Sequence, residues 1–170
     1  MLTKRLSTAV ALAGTVLVVS VVVALGAPQR SNSTPSIVGV WKLSETTTTG
    51  PNAKKVTSPQ PGLRIYTRQH YSLTSVTSDK PRPELPEKGA TDKQLADAFG
   101  PFAANAGTYE IKGNEITLKP TIAKNPAVMR AGNFLVGTFK LEGNTLWITS
   151  KSNASGPVAN PTTEKYTRLE

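Results

Sequence analysis

The chain has 170 residues, a formal net charge of +9 and no cysteine. That length suits one domain with a sizeable core, and the missing thiols exclude disulfides, thiolate metal sites, cysteine nucleophiles and a lipid on cysteine. The positive charge is dispersed through almost every segment rather than gathered with aromatics on one element, which argues for a basic solvated surface and against nucleic-acid binding.

Lys4 and Arg5 precede the uncharged run Leu6–Ala27, which ends on the small residues Ala24, Gly26 and Ala27. This pattern predicts a signal peptide over residues 1–27. The same run is long enough to remain as an N-terminal membrane anchor. Either reading keeps Lys4 and Arg5 inside and places the rest of the chain outside. We therefore expect an exported protein, secreted, periplasmic or in the cell envelope, that meets a membrane only through this segment. Residues 28–36 read as a polar linker and residues 37–170 as the folded domain.

β-type segments then dominate. "IVGVWKLSETTTT" is rich in β-branched residues and stops at Gly50-Pro51. "GLRIYT" and "YSLTSVTS" predict two short strands around a tight turn at Arg68-Gln69-His70. The stretch 79–90, "DKPRPELPEKGA", is too broken by proline for a strand or helix interior. "TDKQLADAFGP" predicts one short helix with Thr91 as N-cap, Gln94 completing a capping box, and Gly100-Pro101 closing it. Leu95, Ala98 and Phe99 share a face, which suggests a flap or plug on a β structure.

"YEIKGNEITL" (109–118) and "FKLEGNTLWI" (139–148) follow one pattern around Gly-Asn, a dipeptide suited to two-residue hairpin loops. Counting outward from each turn pairs Ile111 with Ile116, Tyr109 with Leu118, Leu141 with Leu146 and Phe139 with Ile148. One face of both hairpins is then apolar, and the other carries Lys112, Glu115, Lys140 and Trp147. Such faces must turn inward on a shared core. About eight strands, one helix and no β-α-β alternation give an all-β antiparallel barrel or sandwich, between which periodicity does not choose.

The residues offer little chemistry. His70 is the only histidine, so a His-based metal site fails, and no serine and acid can be placed around it for nucleophilic catalysis. Glu84 with Glu87 and Asp92 with Asp97 read as solvated pairs. No Gly-rich phosphate loop opens a helix after a strand. We expect no enzyme, no catalytic residue, no metal and no cofactor.

Gly39-Val40-Trp41-Lys42 on the first strand resembles the Gly-x-Trp signature of lipocalin and calycin barrels. The order "IVGVWKLSE", "PGLRIYT-RQH-YS", capped helix, "GTYEIKGNEITLK", "GTFKLEGNTLWIT" is similar to that of secreted bacterial lipocalin-like domains, over residues 37–169. The resemblance implies an up-and-down β-barrel of about eight strands. It also implies that Trp41 plugs the closed end, with Arg168 of the last strand across its ring, so Gly39, Trp41 and Arg168 are fold markers rather than a site. Gly39 would let the backbone pass close to a bulky neighbour. His70 replaces the glycine expected in the first turn, and Thr117-Leu118-Lys119 lacks the histidine expected there.

An eight-stranded barrel holds one small ligand or fills with side chains. The inward set, Tyr109, Ile111, Ile116, Leu118, Phe139, Leu141, Leu146 and Ile148, is the candidate ligand lining, with Tyr109 as its polar handle. Phe102, Met129 and Phe134, in connecting segments, are candidates for an entrance, and Arg130 for contact with an acidic head group. The leading expectation is a monomeric barrel that binds a small apolar or amphipathic molecule inside. The alternative is a filled-core barrel acting as an envelope-associated or protein-interaction module through its basic surface.

Overall fold

The computed structural model describes residues 36–170; the expected signal peptide or anchor, and the linker up to residue 35, lie outside the described residues. In chain order the elements are β1 (Gly39–Thr48), β2 (Lys54–Val56), β3 (Gly62–Tyr66), β4 (His70–Val76), α1 (Asp92–Phe99), β5 (Phe102–Lys112) and β6 (Glu115–Ala123). A 3-10 turn (Pro126–Met129) follows, then β7 (Leu135–Glu142), β8 (Thr145–Asn153), β9 (Gly156–Pro157) and β10 (Thr162–Arg168). Eight of the strands close a ring in the order β1-β3-β4-β5-β6-β7-β8-β10, because β10 pairs with both β8 and β1. All ring pairings are antiparallel, and the short β2 and β9 attach to β1 and β8. Closure removes the free edges that a sandwich would keep, and it decides between the two architectures.

The two hairpins form in the expected register. Tyr109 faces Leu118 and Ile111 faces Ile116 in one, and Phe139 faces Ile148 and Leu141 faces Leu146 in the other. Gly113 and Gly143 take positive φ, 61° and 54°, and among the described residues no other residue type does. Glycine at the first turn position with asparagine at the second is therefore a type II′ turn. Outside the barrel, Lys140 and Lys165 lie over the Trp147 ring at 5.4 and 5.9 Å.

The two ends of the barrel differ. At one end β3–β4, β5–β6 and β7–β8 are joined by tight turns. At the other, long connections carry β2, residues 77–91, α1, the 3-10 turn and β9. Helix α1 has the expected capping box at Thr91 and Gln94, but it is not a plug. Only Ala98 is buried, while Leu95 and Phe99 are 38% and 49% exposed. The helix is held from its C-terminal end, where Lys124 Nζ donates to the carbonyls of Phe99 and Gly100. Phe102, expected in a connection, begins β5 and lies under the Arg82 guanidinium at 4.9 Å.

Trp41 is fully buried behind the tight-turn end. Its Nε1 donates to the Ile37 carbonyl at 2.7 Å, and the Arg168 guanidinium stacks on its ring at 4.1 Å. Arg168 also donates to the carbonyls of Val38 (2.7 Å) and Ser36 (2.8 Å), tying the entering chain across the barrel base. Gly39 lies beneath this knot with φ of 144°, and a Cβ there would collide with the Glu170 carbonyl and the Arg168 guanidinium. The glycine two residues before the tryptophan is thus required by the arginine that covers it.

Gly39→Ala should lower the unfolding free energy of the full chain by more than about 1 kcal/mol in a denaturant titration, because both its backbone angle and its space are wrong for a side chain. An unchanged midpoint would show that this approach is not needed.

Candidate functional site

The interior divides along the barrel axis. Towards the tight-turn end it is closely packed, with Trp41, Tyr66, Ile116 and Leu146 almost wholly buried. Tyr109 belongs to this packing. Its ring meets Tyr66 edge-on at 5.2 Å, and its hydroxyl donates to the Thr67 carbonyl at 2.7 Å. Phe139 and Leu141 pack against the same core. Ile111, on the expected face but beside the turn, is 41% exposed.

Towards the long-loop end the interior opens into a cavity of about 230 Å³. Leu73, Leu118, Leu135 and Ile148 give it apolar walls, and Ser150, Thr162, Arg64 and Glu164 give it a polar side. A second space of about 390 Å³ lies against the same two residues, Thr162 and Glu164, beneath the segment that carries Ser58, Pro59 and Gln60. Of the residues expected to line a ligand site, Leu118 and Ile148 border the smaller cavity, whereas Tyr109, Ile116, Phe139, Leu141 and Leu146 do not. Arg130 and Met129 are exposed at the 3-10 turn, and Arg130 borders neither space.

Arg64 is the feature that the residues alone did not announce. Trp41 pairs with Arg64 across β1 and β3, so the two side chains share the inner face. Only 9% of Arg64 is exposed. Its Nε donates to Tyr166 Oη at 2.7 Å, Nη1 to Tyr66 Oη at 3.2 Å and Nη2 to Glu164 Oε2 at 2.5 Å. Tyr166 Oη in turn donates to Glu164 Oε2 at 2.9 Å. Burial works against the charge on Arg64, yet Tyr166, Glu164 and Tyr66 outweigh it and hold the guanidinium well above its usual range. Burial likewise pushes the Tyr166 phenol far up, and pushes Tyr71 up to about 12. Tyr71 Oη donates to Asn105 Oδ1 at 2.7 Å across β4 and β5.

A signal for this cluster existed in the alternation of two strands. In "GLRIY", Arg64 and Tyr66 are buried while Ile65 is 38% exposed, so the polar-looking positions face in. In "TEKYTR", placing Arg168 over Trp41 puts Tyr166 and Glu164 on the same face by the two-residue period.

These groups can bind and orient a small molecule. They present no nucleophile with an adjacent base, and His70 lies exposed at the start of β4. Among the described residues, no three or more His, Cys, Asp or Glu side chains gather as metal ligands.

A family model described as a lipocalin-like domain matches residues 38–160. The match ends before β10, so it covers Arg64 and Trp41 but not Glu164, Tyr166 or Arg168. A comparison with curated proteins gives no match.

Two outcomes follow from the buried cluster. Glu164→Leu leaves Arg64 charged without its counterion and should destabilise the chain by about 3–5 kcal/mol, most of which the double substitution Arg64→Met, Glu164→Leu restores. A double variant no better than Glu164→Leu would show that the two residues are not coupled. Alkaline titration gives the second outcome. Tyr71 and Tyr166 stay neutral in the folded chain after unfolded tyrosines begin to ionise near pH 10. Stability should therefore fall as pH rises from about 10, and tyrosinate absorbance from Tyr166 should appear only with unfolding.

Proposed function

Because the chain belongs to the lipocalin-like domain family, we propose that it is an exported binding protein that takes one small apolar or amphipathic molecule into the long-loop end of its barrel. The single observation that carries this reading is the cavity of about 230 Å³ between Leu118, Ile148, Arg64 and Glu164. Close-packed cores leave few voids larger than a water molecule, and an apolar space of roughly 150 Å³ already accepts a benzene-sized guest. The cavity falls below the roughly 300–1,000 Å³ of drug-sized pockets, which points to a small or short-chained ligand. It favours this role over a barrel that acts only through its basic outer surface.

Export is proposed from Lys4, Arg5 and the uncharged run Leu6–Ala27. A non-catalytic role fits the lipocalin-like family, which is generally non-enzymatic.

Native mass spectrometry of the full chain from its own host tests the reading. The expected result is a small co-purifying molecule that is lost in Leu118→Trp, a substitution that fills the cavity, while the circular dichroism spectrum is retained. A clean apo mass, together with no uptake of an environment-sensitive apolar dye, would remove the binding role.

A further inference from the structure

We propose that the ligand carries an uncharged hydrogen-bond donor, a hydroxyl on a short apolar body, and that the site refuses a carboxylate. The proposal rests on the interior being a ligand site and assigns the chemistry of the ligand's polar end. It follows from which hydrogen-bonding capacity the protein leaves unused there.

Among the described residues, Arg64 is the only cation lining either space, and each of its nitrogens is already engaged, by Tyr166, Tyr66 and Glu164. Glu164 is used on one side only. Its Oε2 accepts from Arg64 and Tyr166, whereas Oε1 receives no donor among the described residues. The side chain is 28% exposed, and it borders both the 230 Å³ and the 390 Å³ spaces. A carboxylate only accepts, so a guest beside Oε1 has to donate. The neighbouring hydroxyl of Ser150 is committed, since it accepts from the Thr162 N–H at 2.9 Å and donates to the Thr162 carbonyl at 3.4 Å.

A guest carboxylate would bring a like charge to Glu164 and find, among the described residues lining the space, no free cation to offset it, a juxtaposition that disfavours its binding. A hydroxyl donates to Oε1 and meets neither charge unfavourably, and its alkyl body fits against Leu73, Leu118 and Ile148. The walls and the polar corner thus select the two ends of one molecule.

The test uses the full chain, an environment-sensitive apolar dye as reporter, and two displacing probes with the same tail, 1-hexanol and hexanoate. 1-Hexanol should displace the dye at a concentration at least about tenfold lower than hexanoate. In Glu164→Gln, which keeps the shape and removes the charge, hexanoate should gain and the ratio should shrink to within about threefold. Equal or tighter displacement by hexanoate in the wild type overturns the donor assignment while leaving the binding role intact, as does an unchanged ratio in a folded Glu164→Gln. If Glu164→Gln does not fold, hexyl methyl ether, a neutral probe that accepts but cannot donate, replaces the variant: it should displace the dye at least about threefold less well than 1-hexanol, and equal displacement overturns the assignment. Dye uptake that neither probe displaces also overturns the assignment, whereas absent dye uptake removes it together with the binding role.

Discussion

A guanidinium inside a β-barrel must be surrounded by acceptors, and Arg64 sets much of what stands around it. Its position is not adjustable, because β1 pairs Trp41 directly with Arg64 and Trp41 has to be inside. An isolated buried charge is prohibitively costly, so β10, on the other side of β1, supplies Glu164 and Tyr166, and the same strand as Arg64 supplies Tyr66. The resulting pair is weak evidence of stability, since desolvation offsets most of its attraction. Its geometric consequence is larger. The cluster ties β3 to β10 over the inner face of β1, which lies between them, and it places one half-used carboxylate beside empty space.

Trp41 is flanked in register by two arginines, Arg64 on β3 and Arg168 on β10. They do opposite work. Arg168 lies flat on the indole and spends its hydrogen bonds on carbonyls of the entering chain, so it seals the tight-turn end. Arg64 points away from that seal towards side-chain acceptors and borders the open half of the interior. One residue pair therefore closes the barrel, and the next layer of side chains keeps part of it open.

Departures from regular pairing help to shape that open half. The registers shift at Ser44 in β1, between Ala106 and Gly107 opposite β6, and between Val136 and Gly137 opposite β8. At Gly107 and Gly137 a Cβ would press on the carbonyls of Lys119 and Thr149, so a larger residue would force the paired strands apart. β6 pairs with β7 only over Glu115–Leu118, short of the shift at Thr121, and just past that shift Ile122 is 65% exposed. A bulge inserts an extra residue on one strand and increases its local twist, which lets the strands diverge just where the long connections begin.

The sequence by itself determined the all-β class, the two Gly-Asn hairpins with their registers and the capped helix, whereas the closed end marked by Gly39, Trp41 and Arg168 was implied only by the resemblance to lipocalin and calycin barrels. Each of the first three is specified locally or by a short period: a turn that only glycine makes easily, a capping side chain three residues from its partner, an alternation counted outward from a fixed turn. Counting outward from the turns therefore found the packed half of the interior, where Ile116 and Leu146 lie, and reached the cavity only at Leu118 and Ile148. The cavity itself was decided by tertiary structure. Its walls come from strands far apart in the chain, Arg64 from β3 and Glu164 from β10, and a charge on an alternating strand reads as solvent-facing until closure of the ring shows which face is enclosed. Closure is a property of β10 pairing with β1 and β8 together, and no local preference in any one strand encodes it.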